Sequence, residues 1–93
     1  MKDTEAAYLA GIIDGEGYIG HRCVQVELTD QDIALKVAEL MGSPSVGTRQ
    51  RGAYKRTWRA EVYGERALAV LATVLPYLGE RRAAKARESL DRS

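Results

Sequence analysis

The segment YLAGIIDGEG, residues 8–17, combines features that an ordinary surface helix does not have. Its apolar residues follow one another almost without a polar interruption, which is typical of a helix that is covered on both sides. A glycine inside a helix costs about 1 kcal/mol relative to alanine, so the small size of Gly11 needs a reason. Asp14 and Glu16 then stand on either side of Gly15. The segment therefore predicts a buried helix that ends in carboxylates.

This first helix is expected over residues 4–13, and at about 100° per residue its side chains separate into two groups. One side carries large residues and is expected to pack on the core of the chain. These large residues are Tyr8, Leu9, Ile12 and Ile13. The opposite side carries small residues, which allow a second helix to approach closely. These small residues are Ala7, Ala10, Gly11 and Asp14. That second helix belongs either to the same chain or to another copy of it.

Two hairpins and three further helices are expected after this helix, because alternating and helical apolar periods follow each other along the chain. The expected segments are strands within 17–29 around a turn at 20–22, a helix capped by Thr29 and ended by Gly42 and Pro44, strands at 46–51 and 56–63, a helix from about Glu65 to Pro76, and a last helix within 79–93. Strands that follow one another as hairpins favour an antiparallel four-stranded sheet with the helices on one face. The prediction is an α+β fold in one domain, residues 1–93.

The charged residues are segregated along the chain, although the net charge is only +1. Residues 49–59 contain five cations and no acid. Such a local concentration attracts phosphate groups, whereas the alternative is a solvated hairpin with a basic edge. Strand alternation directs one set of side chains to the sheet face that lacks helices, with Lys55 at the hairpin tip. That set is Arg49, Arg51, Thr57 and Arg59, with Gln25 and Glu27 from the first hairpin.

Composition excludes several classes of protein. The 93 residues are 45% hydrophobic and 29% charged, which is ordinary globular composition. A single cysteine, Cys23, leaves no internal disulfide and no cysteine spacing for a metal site. No apolar run reaches membrane length and no signal-peptide pattern begins the sequence, so no membrane association is expected. A reducing setting, cytoplasmic or otherwise intracellular, is the expectation.

The stretch LAGIIDGEG, residues 9–17, resembles the nine-residue motif of the LAGLIDADG homing endonucleases, from which it differs at Ile12, Gly15 and Glu16. Two further stretches resemble the same family. VELTDQD, residues 26–32, is similar to its entry from the second strand into the second helix, and TWRAEVYGERALAVLATVLPYL, residues 57–78, is similar to its last strand and helix. The resemblance covers about residues 5–88 and implies the αββαββα arrangement of that family.

The resemblance also implies a function. A chain with one motif is expected to form a homodimer in which the small sides of the two motif helices, with Ala7, Ala10, Gly11 and Asp14, face each other. The dimer is expected to cut double-stranded DNA at a palindromic or near-palindromic site by metal-assisted hydrolysis. The metal ligands are expected to be the Glu16 carboxylate and the Gly15 carbonyl, holding Mg²⁺ or another divalent cation. Asp14 is expected to have a structural role.

Two positions depart from the pattern of the family. Asp30 stands where glutamine or asparagine is common, and Arg81 stands where a lysine follows the Pro-Tyr-Leu sequence. Arginine keeps the positive charge but is a planar fork rather than a point charge. Glu16, Asp30 and Arg81 are therefore the candidate catalytic residues of a nuclease. The departures leave open a DNA- or RNA-binding protein of the same fold that does not cut, such as a maturase or regulator; a dimeric scaffold is a third possibility.

Overall fold

The computed structural model of the chain describes residues 1–50, 52 and 55–92. Four α-helices, a short 3₁₀ turn and four strands alternate along it. In chain order these are α1 (Asp3–Glu16), β1 (Gly17–Gly20), β2 (Cys23–Leu28), α2 (Gln31–Met41), β3 (Val46–Arg49), β4 (Thr57–Tyr63), α3 (Gly64–Val74), the 3₁₀ turn (Leu75–Tyr77) and α4 (Glu80–Asp91).

The strands form one antiparallel sheet in the order β1-β2-β4-β3. β1 and β2 are a hairpin, in which Gly17 lies opposite Val26 and Gly20 lies opposite Cys23. β4 pairs with both β2 and β3, and places Arg59 between Glu27 and Gly47. The predicted α+β fold with an antiparallel four-stranded sheet is therefore confirmed.

The core lies between one face of the sheet and the helices. Val24, Val26, Ala60 and Val62 point from β2 and β4 into this layer and are almost completely buried. The helices add further buried apolar residues to the same cluster, including Leu9, Ile13, Val37, Ala67, Leu71 and Val74. The opposite sheet face is made by the alternate residues of the strands, and no helix formed by the described residues covers it.

The first helix and the first strand join without a connecting residue. Gly17 is the C-cap of α1 and the first residue of β1, and its backbone is extended, at φ −90° and ψ 163°. A Cβ atom at this position would lie 2.8 Å from both the Cα and the carbonyl oxygen of Ile13. Only glycine permits this direct passage, which fixes the end of α1 relative to the sheet.

Several boundaries differ from the sequence prediction. The first helix was expected over residues 4–13, but α1 runs from Asp3 to Glu16. Asp30 rather than Thr29 is the N-cap of α2, and its side chain makes no capping hydrogen bond. β3 ends at Arg49 instead of continuing to position 51, and the first turn contains only His21 and Arg22. The end of α2 is as predicted, since Gly42 adopts φ 73°, a left-handed conformation that favours glycine.

Candidate functional site

The outer side of α1 consists mainly of small residues that no other described part of the chain covers. Ala7, Gly11 and Gly15 follow one another at four-residue spacing and are exposed, whereas Asp14 beside them is half-buried. Ala10 was predicted to belong to this side, but that prediction is wrong because Ala10 is 0% exposed within its own chain. Tyr8 was predicted to lie inward, yet it is 36% exposed, with the Lys36 ammonium 4.4 Å from its ring centre.

The physical reason for both errors is the direction in which α1 meets the sheet. The helix buries Ala6, Leu9, Ala10 and Ile13, which form one stripe at three- and four-residue spacing. Helical periodicity alone gives the stripes, but it does not say which of several apolar stripes faces the sheet. The exposed side of α1 consequently includes Gly15 and excludes Ala10.

The two glycines on this open side have no steric reason inside the chain. A Cβ atom added at Gly11 or at Gly15 would meet no other atom within 4 Å, apart from the helix's own backbone and chain neighbours. Each glycine therefore carries a helix cost of about 1 kcal/mol that no described contact offsets. Close approach by a second molecule is a physical reason for retaining glycine at both positions.

The C-terminal end of α1 is fastened to the start of α4. Both carboxylate oxygens of Asp14 accept a hydrogen bond from the backbone N–H of Gly79, at 3.1 and 3.0 Å. Gly79 is the N-cap of α4, so a negative charge lies where the helix dipole favours it. The prediction of a structural role for Asp14 agrees with this contact, in which the donating N–H belongs to the same chain.

Glu16 is the last residue of α1 and its side chain is exposed. No described residue forms an ion pair or hydrogen bond with its carboxylate. The carbonyl of Gly15 lies in the last turn, where helical carbonyls lack a partner four residues further on. These oxygen atoms are of the kind that hard divalent cations bind, but a complete shell needs about six ligands. Among the residues that the structure describes, no cluster of three or more His, Cys, Asp or Glu is close enough to hold a metal.

The other two candidate catalytic residues lie near the same end of the sheet. Because Gly17 pairs with Val26, the start of β1 is next to the end of β2, and Asp30 follows β2 by two residues. Arg81 lies two residues after Gly79, which contacts Asp14 at the end of α1. Both side chains are exposed. Topology therefore brings Glu16, Asp30 and Arg81 to one end of the molecule without a direct contact between them.

The open sheet face is less basic than residues 49–59 indicated. Arg59 lies in its centre, between Glu27 and Glu61, and its nitrogen atoms are 4.0 Å from a carboxylate oxygen of each. The Thr57 hydroxyl donates a 2.7 Å hydrogen bond to Glu27. The segment contains no acid, but sheet pairing brings one from the neighbouring strand, and Glu61 follows two residues after Arg59.

The remaining predicted residues of this face are distributed along the sheet. Gln25 is half-buried, and its amide lies 3.4 Å from the Tyr63 hydroxyl. Arg49 and Lys55 are exposed near the other edge, at the end of β3 and shortly before β4. Arg51 lies outside the described residues. Glu61 and Tyr63 were not predicted as site residues, although strand alternation from Arg59 puts both on this face.

Glu61 also influences two ionisable neighbours on the open face. A side-chain hydrogen bond with Glu61, together with desolvation, raises the pKa of the Tyr63 hydroxyl above its usual value. Burial raises the pKa of the Cys23 thiol, and the negative charge of Glu61 raises it further. Both groups therefore remain neutral at neutral pH, so Glu27, Arg59 and Glu61 determine the charge in the middle of the face.

Solved structures of homing endonucleases share this architecture. The homing endonuclease I-CvuI, in complex with its target (Sro1.3) in the presence of 2 mM Ca, gives a TM-score of 0.75 at 23% identity over 96% of this chain and 65% of the other. A second structure is I-CvuI in complex with the I-CreI target (C1221), in the presence of 2 mM Mg and with DNA not cleaved. It gives a TM-score of 0.67 at 24% identity, over 96% of this chain and 66% of the other. The present chain thus spans about two thirds of those chains.

These comparisons identify the fold. The chain has the fold of the homing endonucleases, so the resemblance to the LAGLIDADG group that residues 9–17 suggested is confirmed at the level of the fold. No protein-family model matches the sequence, and no curated protein matches it. Over the described residues, none of the helices is long and apolar enough to cross a membrane.

Proposed function

We propose that this protein is a site-specific double-strand DNA endonuclease of the LAGLIDADG type, which acts as a homodimer on a palindromic or near-palindromic site. The observation that carries the proposal is the end of α1. An exposed carboxylate without a described partner, Glu16, ends a helix whose outer side contains Gly11 and Gly15 facing open space. Both features become useful when a second copy is present.

The dimer gives the glycines a function. Two helices that meet through small residues bring their backbones close, and the lost helix propensity is then offset by contacts between the subunits. We expect Ala7, Gly11 and Gly15 to form the centre of this contact. Asp14 would lie at its margin, where it also fixes α4 through Gly79.

Two-fold symmetry would bring the two Glu16 side chains near each other, since the proposed contact runs toward the same end of both helices. Carboxylates that approach each other repel unless a cation lies between them. Glu16 and the Gly15 carbonyl of both copies would hold Mg²⁺ or another divalent cation, with phosphate oxygens and water as further ligands. Such a cation supplies an activated water and charge stabilisation for phosphodiester hydrolysis. Within one chain, Arg81 would hold a phosphate oxygen as a fixed positive charge.

DNA would lie across the open sheet face. Arginine pairs with guanine through two hydrogen bonds in the major groove, whereas lysine holds phosphates. Arg49 and Arg59 are the proposed base-reading cations, Lys55 a proposed backbone contact, and Gln25, Glu27 and Thr57 further polar contacts. Arg51 is included in the proposal from its position in the sequence alone.

Selection of cleaved sites from a random-sequence DNA library in the presence of Mg²⁺ tests the proposal. Cutting by the protein and no cutting by Glu16→Gln is the expected result, because the amide keeps the shape of the side chain and removes its charge. Glu39→Gln is a matched control, since Glu39 is an exposed acid on α2. If Glu16→Gln cuts DNA as well as the unaltered protein does, Glu16 has no role in the reaction.

A second candidate function is sequence-specific binding without cleavage. The specific observation in its favour is Asp30, an exposed acid at the start of α2 near the same end of the sheet, where a negative charge repels phosphate. Retention of the same uncut sites by the protein and by Glu16→Gln would support binding alone. If Asp30→Asn then gained cleavage, Asp30 would be identified as the residue that suppresses the reaction.

A further inference from the structure

A second basic surface lies beside the sheet, in the groove between the first hairpin and α4. β1 forms one wall of this groove and α4 forms the other. The residues with ionisable or aromatic side chains that line it are Tyr18, His21, Arg82, Lys85, Glu88 and Arg92. We call this set the α4 groove. Among its described residues the cations outnumber the one carboxylate, that of Glu88, which is itself engaged by Arg92 at 3.3 Å.

The walls of the α4 groove are held in place by hydrogen bonds. The backbone N–H of Arg22, in the hairpin turn, donates to the hydroxyl of Ser89 on α4 at 2.9 Å, and Ser89 is 4% exposed. The carbonyl of Arg22 accepts a hydrogen bond from Gly64, and its guanidinium pairs with Glu65 at 3.0 Å. The turn is therefore fixed between α3 and α4, and the groove is present before any ligand binds.

One residue of the groove, Arg82, has an atom that lacks the partner its burial demands. The Nε atom of Arg82 is buried, and no described residue accepts its hydrogen. Buried polar atoms nearly always have a partner, and a guanidinium keeps its charge under all ordinary conditions. An anion with several acceptor oxygens in the groove would offset the charge of this guanidinium together with that of Lys85, which lines the same groove.

The position of the groove indicates where such an anion comes from. Tyr18 lines the groove and is also a residue of the open sheet face, since it lies opposite Gln25. The basic surface is thus continuous with the face proposed to read bases. Side chains beneath a duplex contact base edges, whereas those beside it contact phosphates.

We infer that the α4 groove binds a phosphodiester of the nucleic-acid backbone, with Arg82 and Lys85 as the ligands, outside the base-reading sheet face. This inference rests on the proposed DNA binding, but not on cleavage or on the target sequence. The contact anchors the duplex without regard to sequence. Each cation in this contact adds about 1 to the magnitude of the slope of log affinity against log salt concentration.

Fluorescence anisotropy with a duplex of random sequence, at salt concentrations between about 50 and 200 mM, tests this contact. Lys85→Gln is expected to reduce the salt slope by about 1 and to weaken binding about three- to tenfold at the lowest salt. Lys85 is exposed, so this variant is expected to fold normally. Arg82→Gln should give a similar loss, and Arg82→Lys should retain part of the affinity because it keeps the charge without the fork.

Arg87→Gln is the matched control, because Arg87 is an exposed cation on the same helix that lines a different surface with Glu80 and Pro76. If Lys85→Gln and Arg87→Gln change the slope equally, the α4 groove is not a phosphate contact and the inference is overturned, while DNA binding by the sheet stands. If the unaltered protein binds no duplex, the proposed function fails as well. In that case, the melting temperature is measured with and without inorganic phosphate. If phosphate raises it for the unaltered protein but not for Arg82→Gln, the groove binds a free anion instead.

Discussion

The two sides of α1 are built from similar apolar residues, but they have opposite surroundings. The inner side, Ala6, Leu9, Ala10 and Ile13, is no more than 2% exposed and is filled by the core of its own chain. The outer side, Ala7, Gly11 and Gly15, faces open space. The difference teaches that low polarity identifies a helix whose sides become buried, whereas the size of the residues indicates what buries each side. Large residues fill the chain's own core, and glycines keep room for another backbone.

The largest expected effect comes from emptying the inner side. Leu9→Ala should lower the free energy of unfolding by about 2–5 kcal/mol, because Leu9 is 0% exposed and its removal leaves a cavity. Leu35→Ala is the control, since Leu35 on α2 is 51% exposed and its truncation should change stability by no more than about 0.5 kcal/mol. Urea denaturation measures both values. Equal losses would mean that α1 does not pack as described.

A smaller effect is expected at the end of the helix, where two glycines differ in their surroundings. Gly17→Ala should cost about 1–3 kcal/mol, because the new Cβ would lie 2.8 Å from backbone atoms of Ile13 that cannot move aside freely. Gly15→Ala places its Cβ in open space and should not reduce the stability of the subunit. Thermal unfolding of both variants at low protein concentration makes the comparison. A Gly17→Ala variant as stable as Gly15→Ala would contradict the direct passage from α1 to β1.

Enlargement of the outer side separates subunit stability from assembly. Gly11→Ala should stabilise the isolated subunit by about 1 kcal/mol through helix propensity, since its Cβ meets nothing. Gly11→Leu should prevent the proposed dimer by holding the two backbones apart. Light scattering and sedimentation measure the mass, and urea denaturation measures the subunit. A Gly11→Leu variant that remains a dimer would show that the contact lies elsewhere.

The smallest expected effect concerns Asp14, which lies between the two sides. Asp14→Ala removes the acceptor of the Gly79 N–H and should lower stability by about 0.5 kcal/mol, at the lower end of values for a lost helix cap. Asp14→Asn retains one acceptor oxygen and should recover part of this loss. Hydrogen exchange in the first turn of α4 localises the effect, and unchanged protection there would contradict a capping role.

Much of the fold could be predicted from local patterns. The direct run of apolar residues in α1, the alternation in β2 and β4, and the glycine that ends α2 each depend on neighbours a few residues away. The candidate site was predicted less completely. Ala10 and Tyr8 were assigned to the wrong sides of α1, because the sheet determines which of several apolar stripes faces the core. Glu27 was also not predicted as a partner of Arg59, since it lies 32 positions earlier and becomes a neighbour only through the pairing of β2 with β4.

The sequence by itself determined the order of the elements, the antiparallel hairpins and the position of Glu16 at the end of a helix rich in small residues. These follow from backbone preferences and periodicity, which act over one or two turns of chain. Only the tertiary structure decided which side of α1 remains open, how far acids neutralise the sheet face, and that β1 and α4 enclose the α4 groove. Each of these depends on contacts between residues far apart in sequence, because burial and charge pairing are properties of the assembled layers.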